Sequence, residues 1–196
     1  MTMQPALPGA ALRQDLGAII ARHVPADAAE RFETAAWLAL SANPAMLTKA
    51  GTPAHFTASA VPMDPETGRV CLVLHGKINQ WVQPGGHMET GDDSVAAAAA
   101  RELAEETGLE GQPDPVPLLL SRHPAPCGSG DWHLDVQLLV PTPERPPIVS
   151  DESHDVAWFD HDDLPHDVAS GVTELVATAW LRMQEPPTPA AGQPVQ

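Results

Sequence analysis

Ser94 to Gly108, SVAAAAARELAEETG, constrains this chain more than any other stretch. The run Ala96–Ala100 carries nothing beyond methyl groups, so a helix built on it can lie close to a sheet. The segment reads as a helix from about Asp93 to Thr107, stopped by Gly108. Ala96, Ala100, Leu103 and Thr107 fall on one arc, assigned to the core. Glu102, Glu105 and Glu106 share a separate arc of about 100° by helical-wheel arithmetic. Glu102 and Glu106 lie one turn apart, roughly 6 Å of rise. Carboxylates at that spacing repel, and no lysine is interspersed among them to relieve it. The segment lacks a cation. Just before it, Pro84-Gly85-Gly86 reads as a turn whose glycines let backbone approach an ion or a phosphate with no Cβ in the way.

Hard divalent cations such as Mg²⁺ take oxygen ligands, usually a few carboxylates completed by water and substrate phosphate. Composition agrees. The formal net charge is −16, which suits cation binding and argues against a nucleic-acid duplex or an anionic membrane as partner. No apolar run approaches the roughly 20 residues of a membrane span, and MTMQPALPGA lacks the features of a secretory signal. Two cysteines, Cys71 and Cys127, are too few for a disulfide scaffold, so a cytoplasmic setting is expected.

Along the chain, residues 11–41 read as two helices broken at Pro25. Leu12, Leu16, Ile19 and Ile20 form the apolar stripe of the first, and Phe32, Ala36, Leu38 and Leu40 are the apolar positions of the second. HFTASAVPM and RVCLVLHG, separated by the turn-rich DPETG, suggest a hairpin. VPLLLSRHP and WHLDVQLLV read as two further strands, and a short one is expected around Asp155–Phe159. A last helix spans about Val172–Gln184. The expected organisation is a helical extension and linker at 1–53, an α/β domain at 54–184 and a disordered Pro-rich tail at 185–196.

Gly86-His87-Met88-Glu89-Thr90-Gly91-Asp92, followed by Arg101-Glu102-Leu103-Ala104-Glu105-Glu106-Thr107-Gly108-Leu109, closely resembles the box of the Nudix hydrolases over residues 86–109. The second half matches at every specified position. The first departs: Asp92 stands where a glutamate is usual, with one extra residue before Arg101, so the acid could be Asp92 or Asp93. The resemblance implies an α/β/α sandwich of mixed sheets. It also implies hydrolysis of a nucleoside diphosphate linked to another moiety, with Mg²⁺ or Mn²⁺ held by Glu102, Glu105 and Glu106. A carbonyl near Gly85 or Gly86 would assist, and Arg101 would orient a box glutamate. Metal at that place would neutralise a diphosphate and acidify the attacking water.

Attack by water also needs a proton acceptor. In several Nudix enzymes it is a glutamate outside the box, in a loop shortly before a tryptophan-bearing strand. Ser150-Asp151-Glu152-Ser153-His154-Asp155-Val156-Ala157-Trp158 is similar, which makes Glu152 the candidate, with Glu105 the competitor and Asp151 the nearest substitute. For substrate contact the candidates are Gly85, Gly86, His87 and His133, with His55 and His123 able to reach the same cleft and Trp81 or Trp132 able to stack on a base. His133 and Asp135 would share one side of a strand. The partner expected is a small nucleotide-type molecule. The helical extension could cover the sheet, shape the pocket or mediate a homodimer. Two rival readings remain: a sensor of the same fold that binds a nucleotide without cleaving it, and a relative of isopentenyl-diphosphate isomerase, which would need a reactive cysteine.

Overall fold

In the computed structural model, which describes residues 9–48, 53–124 and 132–185, strand β1 (Ala54–Met63) divides the molecule. It is buried along nearly its whole length, as a strand covered on both faces must be. A tight turn leads into β2 (Val70–His75), with Met63 opposite Val70 in antiparallel register. The Asp64 carboxylate holds that turn, accepting from the N–H groups of Glu66 and Thr67, and Gly68 takes the positive φ it requires. The chain then forms β3 (Trp81–Val82) and β4 (Gly85–His87) before helix α3 (Val95–Thr107). After it come β5 (Leu119–Pro124), β6 (Trp132–Pro141), β7 (Ser153–Phe159) and helix α4 (Val172–Gln184). Helices α1 (Ala10–Ile20) and α2 (Ala28–Ser41) precede the sheet. Among the described residues the strands join in one mixed sheet, ordered β3-β2-β1-β6-β5, with β4 pairing β1 and β7 pairing β2. β1 runs parallel to β6 and antiparallel to β4.

Helices cover both faces of this sheet, the α/β/α arrangement expected. Phe56, Ala58 and Ala60 of β1 pack with α1, α2 and α3. Val61 and Met63 pack with Val172, Leu175, Val176 and Ala179 of α4. Ser94 caps α3 by accepting from the Ala97 N–H, and Gly108 ends it in the left-handed conformation. Asp15 of α1 accepts from the Val95 N–H, tying the extension to the start of α3.

Two expectations need correction. Helix α3 begins at Val95, not Asp93, and its buried residues are Val95, Ala98, Ala99, Leu103 and Thr107, so Ala96 and Ala100 sit at the margin of the core. Gly85 and Gly86 are in extended strand, not a turn, and neither has a positive φ. In α2 the buried residues are Trp37 and Ser41, while Phe32 is 77% exposed and Leu38 and Leu40 also face outward. The large side chain that α2 buries is Trp37, set edge-to-face on Phe56 of β1 at 5.8 Å, and Ser41 packs near Gly17 of α1. The α1 stripe of Leu12, Leu16, Ile19 and Ile20 is buried as read, and α4 has the bounds expected. The tail at 186–196 and Cys127 lie outside the described residues. None of the described helices is long and apolar enough to cross a membrane.

Because α1 and β1 share one core cluster, the extension is expected to unfold together with the sheet. Leu16→Ala should cost about 2–5 kcal/mol. Circular dichroism and tryptophan fluorescence should then report a single coincident transition, shifted down; two separated transitions would contradict the shared core.

Candidate active site

Glu102 and Glu106 do not lie opposite the core arc of α3. On a helical wheel they fall within about 60° of Val95 and Ala99, on the face turned toward the sheet. The sheet makes room for them through its glycines. A Cβ on Gly86 would come within 2.6 Å of Glu102 Oε1, and one on Gly85 would strike Ser59. Glycine is required here for close approach rather than for a special φ. The Gly85 N–H donates to Glu106 Oε2 at 3.1 Å. Glu102, whose side chain is only 12% exposed, pairs with Arg101 at 2.9 Å.

Arg101 binds the box together. Its Nε and Nη2 engage both oxygens of Asp92 at 3.1 and 2.9 Å, Nη2 also donates to the His87 carbonyl, and Nη1 donates to Glu102 and Glu105. This answers the ambiguity of the variant box. Asp92 is the buried acid that grips Arg101, Asp93 is exposed, and the extra residue is absorbed in the turn before Val95. Burial opposes the Arg101 charge, but the Asp92 and Glu102 carboxylates against it outweigh that and hold its pKa above the ordinary value. Glu105 is placed differently from its two companions. It sits on the outer side of Arg101 with its side chain 59% exposed.

The carboxylates are short of cations. Burial raises the Glu102 pKa; Arg101 opposes this, and repulsion from Glu105 and Asp92 adds to it. Glu106 has only the Gly85 N–H for relief. Burial, with repulsion from Glu102, Glu152 and Glu105, pushes it up to about 8. Repulsion from Glu152 matters because it brings the candidate base, 46 residues later in sequence (152 − 106), into electrostatic reach of the box. The Glu152 backbone is held beside β2, its carbonyl accepting from the Gly76 N–H at 3.1 Å, next to a register shift in the β2–β7 pairing.

On the α4 side of the sheet a cavity of about 720 Å³ adjoins this site. Gly85, Gly86, His133, Asp135, Thr57 and Gln83 are among its lining. Asp135 is buried and accepts from Thr57 Oγ1, Ser59 Oγ and Gln137 Nε2 at 2.8–3.1 Å. His55, His87, His123 and His133 gather beside it, their neighbouring rings about 5 Å apart. Thr57, Ser59, Gln83 and Gln137 were not anticipated. The available signal was the alternation of His55, Thr57 and Ser59 with Phe56, Ala58 and Ala60, which marks one polar and one apolar face. Neither stacking tryptophan lines the cavity: Trp81 is buried edge-to-face on Phe159, and Trp132 is 40% exposed beneath the Arg122 guanidinium. Cys71 is fully buried, and burial pushes its thiol up to about 12, which removes it as the reactive cysteine of an isomerase.

A family model described as the NUDIX domain matches residues 53–179. Nucleoside diphosphate-linked moiety X motif 6 of Xenopus laevis is 33% identical over 117 residues, covering 56% of this chain and 52% of that protein. Phosphatase NudJ of Escherichia coli K12 is 58% identical over 45 residues, 21% of this chain and 29% of that protein. The chain thus spans about half, or less, of the length of these curated relatives. A NUDIX-family hydrolase from Clostridium perfringens shares the fold at a TM-score of 0.55 and 21% identity, over 66% of this chain and 98% of that one. The NUDIX domain of Shewanella oneidensis NrtR, solved with ADP ribose, does so at 0.57 and 22%, over 69% and 92%.

The raised Glu106 pKa predicts how metal-free protein responds to pH. Between 4.5 and about 8 the folded chain retains a proton that the unfolded chain has released, so stability is greatest below that window and falls as pH rises through it. Melting curves in chelator should show that decline. Glu106→Gln should flatten it and melt higher near the top of the window.

Proposed function

Since the chain belongs to the Nudix family, we propose that it hydrolyses the diphosphate linkage of a nucleoside diphosphate derivative by attack of water on phosphorus. The observation that carries this reading is the pair of glutamates turned inward against Gly85 and Gly86 with too little positive charge to hold them. Glu102 and Glu106 offer hard oxygen donors, and the missing Cβ of Gly86 leaves a cradle at Glu102, a donor set that fits Mg²⁺ or Mn²⁺. Glu105 would join them only by leaving Arg101. A divalent ion held there supplies charge neutralisation at the diphosphate and a more acidic water.

The chain's own groups do the rest. Arg101 fixes the Glu102 carboxylate and the His87 carbonyl, so the acidic helix and β4 keep one spacing. The Gly85 N–H orients Glu106. Glu152, exposed and near Glu106, takes the proton from the attacking water, with Glu105 the alternative base. The cavity on the α4 side, with Gly85, Gly86 and His133 in its wall and His87 behind it, takes the organic part of the substrate.

A screen of nucleotide sugars, dinucleotides and nucleoside triphosphates with Mg²⁺ or Mn²⁺ tests this directly. Glu106→Gln should lose well over tenfold of the activity, about 10²-fold, while folding normally. Glu152→Gln should lower kcat by about 10²–10⁴-fold with little change in KM. An unaltered kcat in that variant transfers the base to Glu105. Tight nucleotide retention with no phosphate or nucleotide product would favour a sensor instead.

A further inference from the structure

Three strands deliver three imidazoles to one point. His55 on β1 stands opposite His133 on the parallel strand β6, and His87 lies on β4, one diagonal away from His55. Strand periodicity puts all of them on the sheet face that carries Thr57, Ser59 and Asp135. Nε2 of His55 and Nε2 of His87 are 3.0 Å apart, so at least one of these nitrogens carries no proton. One ring nitrogen from each of His55, His87 and His133 falls within 4.8 Å of the other two. In a tetrahedral zinc site, Zn–N bonds of about 2.0–2.1 Å place neighbouring nitrogens about 3.3 Å apart. The cluster brackets that spacing, and side-chain adjustments alone would close it. His55 is fully buried and His133 lines the cavity, so an ion held here would be anchored in the sheet and reach the cavity wall.

We propose that His55, His87 and His133 form a binding site for a divalent transition metal of the zinc class, separate from the carboxylate site on α3. The donors decide the metal. Three neutral imidazoles suit Zn²⁺, Co²⁺, Ni²⁺ or Cu²⁺ and offer nothing to Mg²⁺, which prefers oxygen. The two sites are nonetheless mechanically joined. Arg101, which clamps the box carboxylates, also holds the His87 carbonyl, so one residue of β4 belongs to both. His123, whose ring centre is 5.3 Å from that of His133, stands beside the cluster as a neighbour rather than a ligand. Three protein nitrogens leave a coordination position for a ligand from the cavity, the arrangement of an open rather than a closed zinc site.

The test reads metal binding and not turnover. Full-length protein, stripped with a chelator, is titrated with Co²⁺ and then with Zn²⁺. We expect one equivalent of Co²⁺ to develop the intense visible d–d bands of four- or five-coordinate cobalt, and Zn²⁺ to bleach them. Glu106→Gln should keep the bands. His87→Ala and His133→Ala should each weaken binding by about 100-fold or more, with melting curves to show that they fold. Nitrogen-15 spectra of the unaltered chain provide a second measure: zinc should shift three imidazoles at one equivalent. Missing bands, bands lost in Glu106→Gln but kept in His133→Ala, or imidazole signals that ignore zinc would each overturn the site. Failure of hydrolysis with intact cobalt bands would count against the diphosphate reading and leave this one standing.

Discussion

The Arg101 guanidinium meets Asp92 from the loop, Glu102 and Glu105 from its own helix and the His87 carbonyl from the neighbouring strand. A planar fork of donors can serve four acceptors at once in fixed directions, which a lysine ammonium cannot do. Through these bonds the spacing between α3 and β4 is set by one side chain. That spacing determines whether the inward glutamates confront the backbone of Gly85 and Gly86 or drift from it. It also limits the electrostatic cost: a single cation relieves three carboxylates partly, and leaves Glu106 with one peptide N–H. The remaining imbalance has a sign: the metal-free chain meets it by keeping a proton on Glu106, and a bound cation would take that proton's place.

β1 sorts the chemistry onto two faces. Its even-numbered residues Phe56, Ala58 and Ala60 join the apolar layer with the extension and α3, and its odd-numbered residues His55, Thr57 and Ser59 face β6 polar groups beside the cavity. The buried Asp135 carboxylate is tolerable because hydroxyls and an amide satisfy it from several directions. A chain of net charge −16 repels an anionic substrate at long range. An anionic ligand would bind only where positive charge inverts that field locally.

Much of this was readable beforehand because local rules carried it. The alanine run and Gly108 bound α3 to within two residues, and the stripe of Leu12, Leu16, Ile19 and Ile20 gave the buried face of α1. The errors have a common cause. Ala96 and Ala100 were placed in the core by their chemistry, and Glu102 and Glu106 were set apart from it by theirs. In each case the neighbouring element decided: the sheet selects which arc of α3 is buried, and the glycines of β4 admit charge where bulkier residues would exclude it.

The sequence by itself determined which residues could bear charge, which segments could be helix or strand, and that no lysine is interspersed among the glutamates of α3, because these follow from side-chain type and spacing along a few turns. Only the tertiary structure decided which way α3 faces, that Asp92 and not Asp93 holds Arg101, that Glu152 adds to the repulsion on Glu106, and that histidines 55, 87 and 133 meet. Those are contacts between residues distant in the chain, fixed by sheet register and the packing of helices on it. No local pattern encodes them.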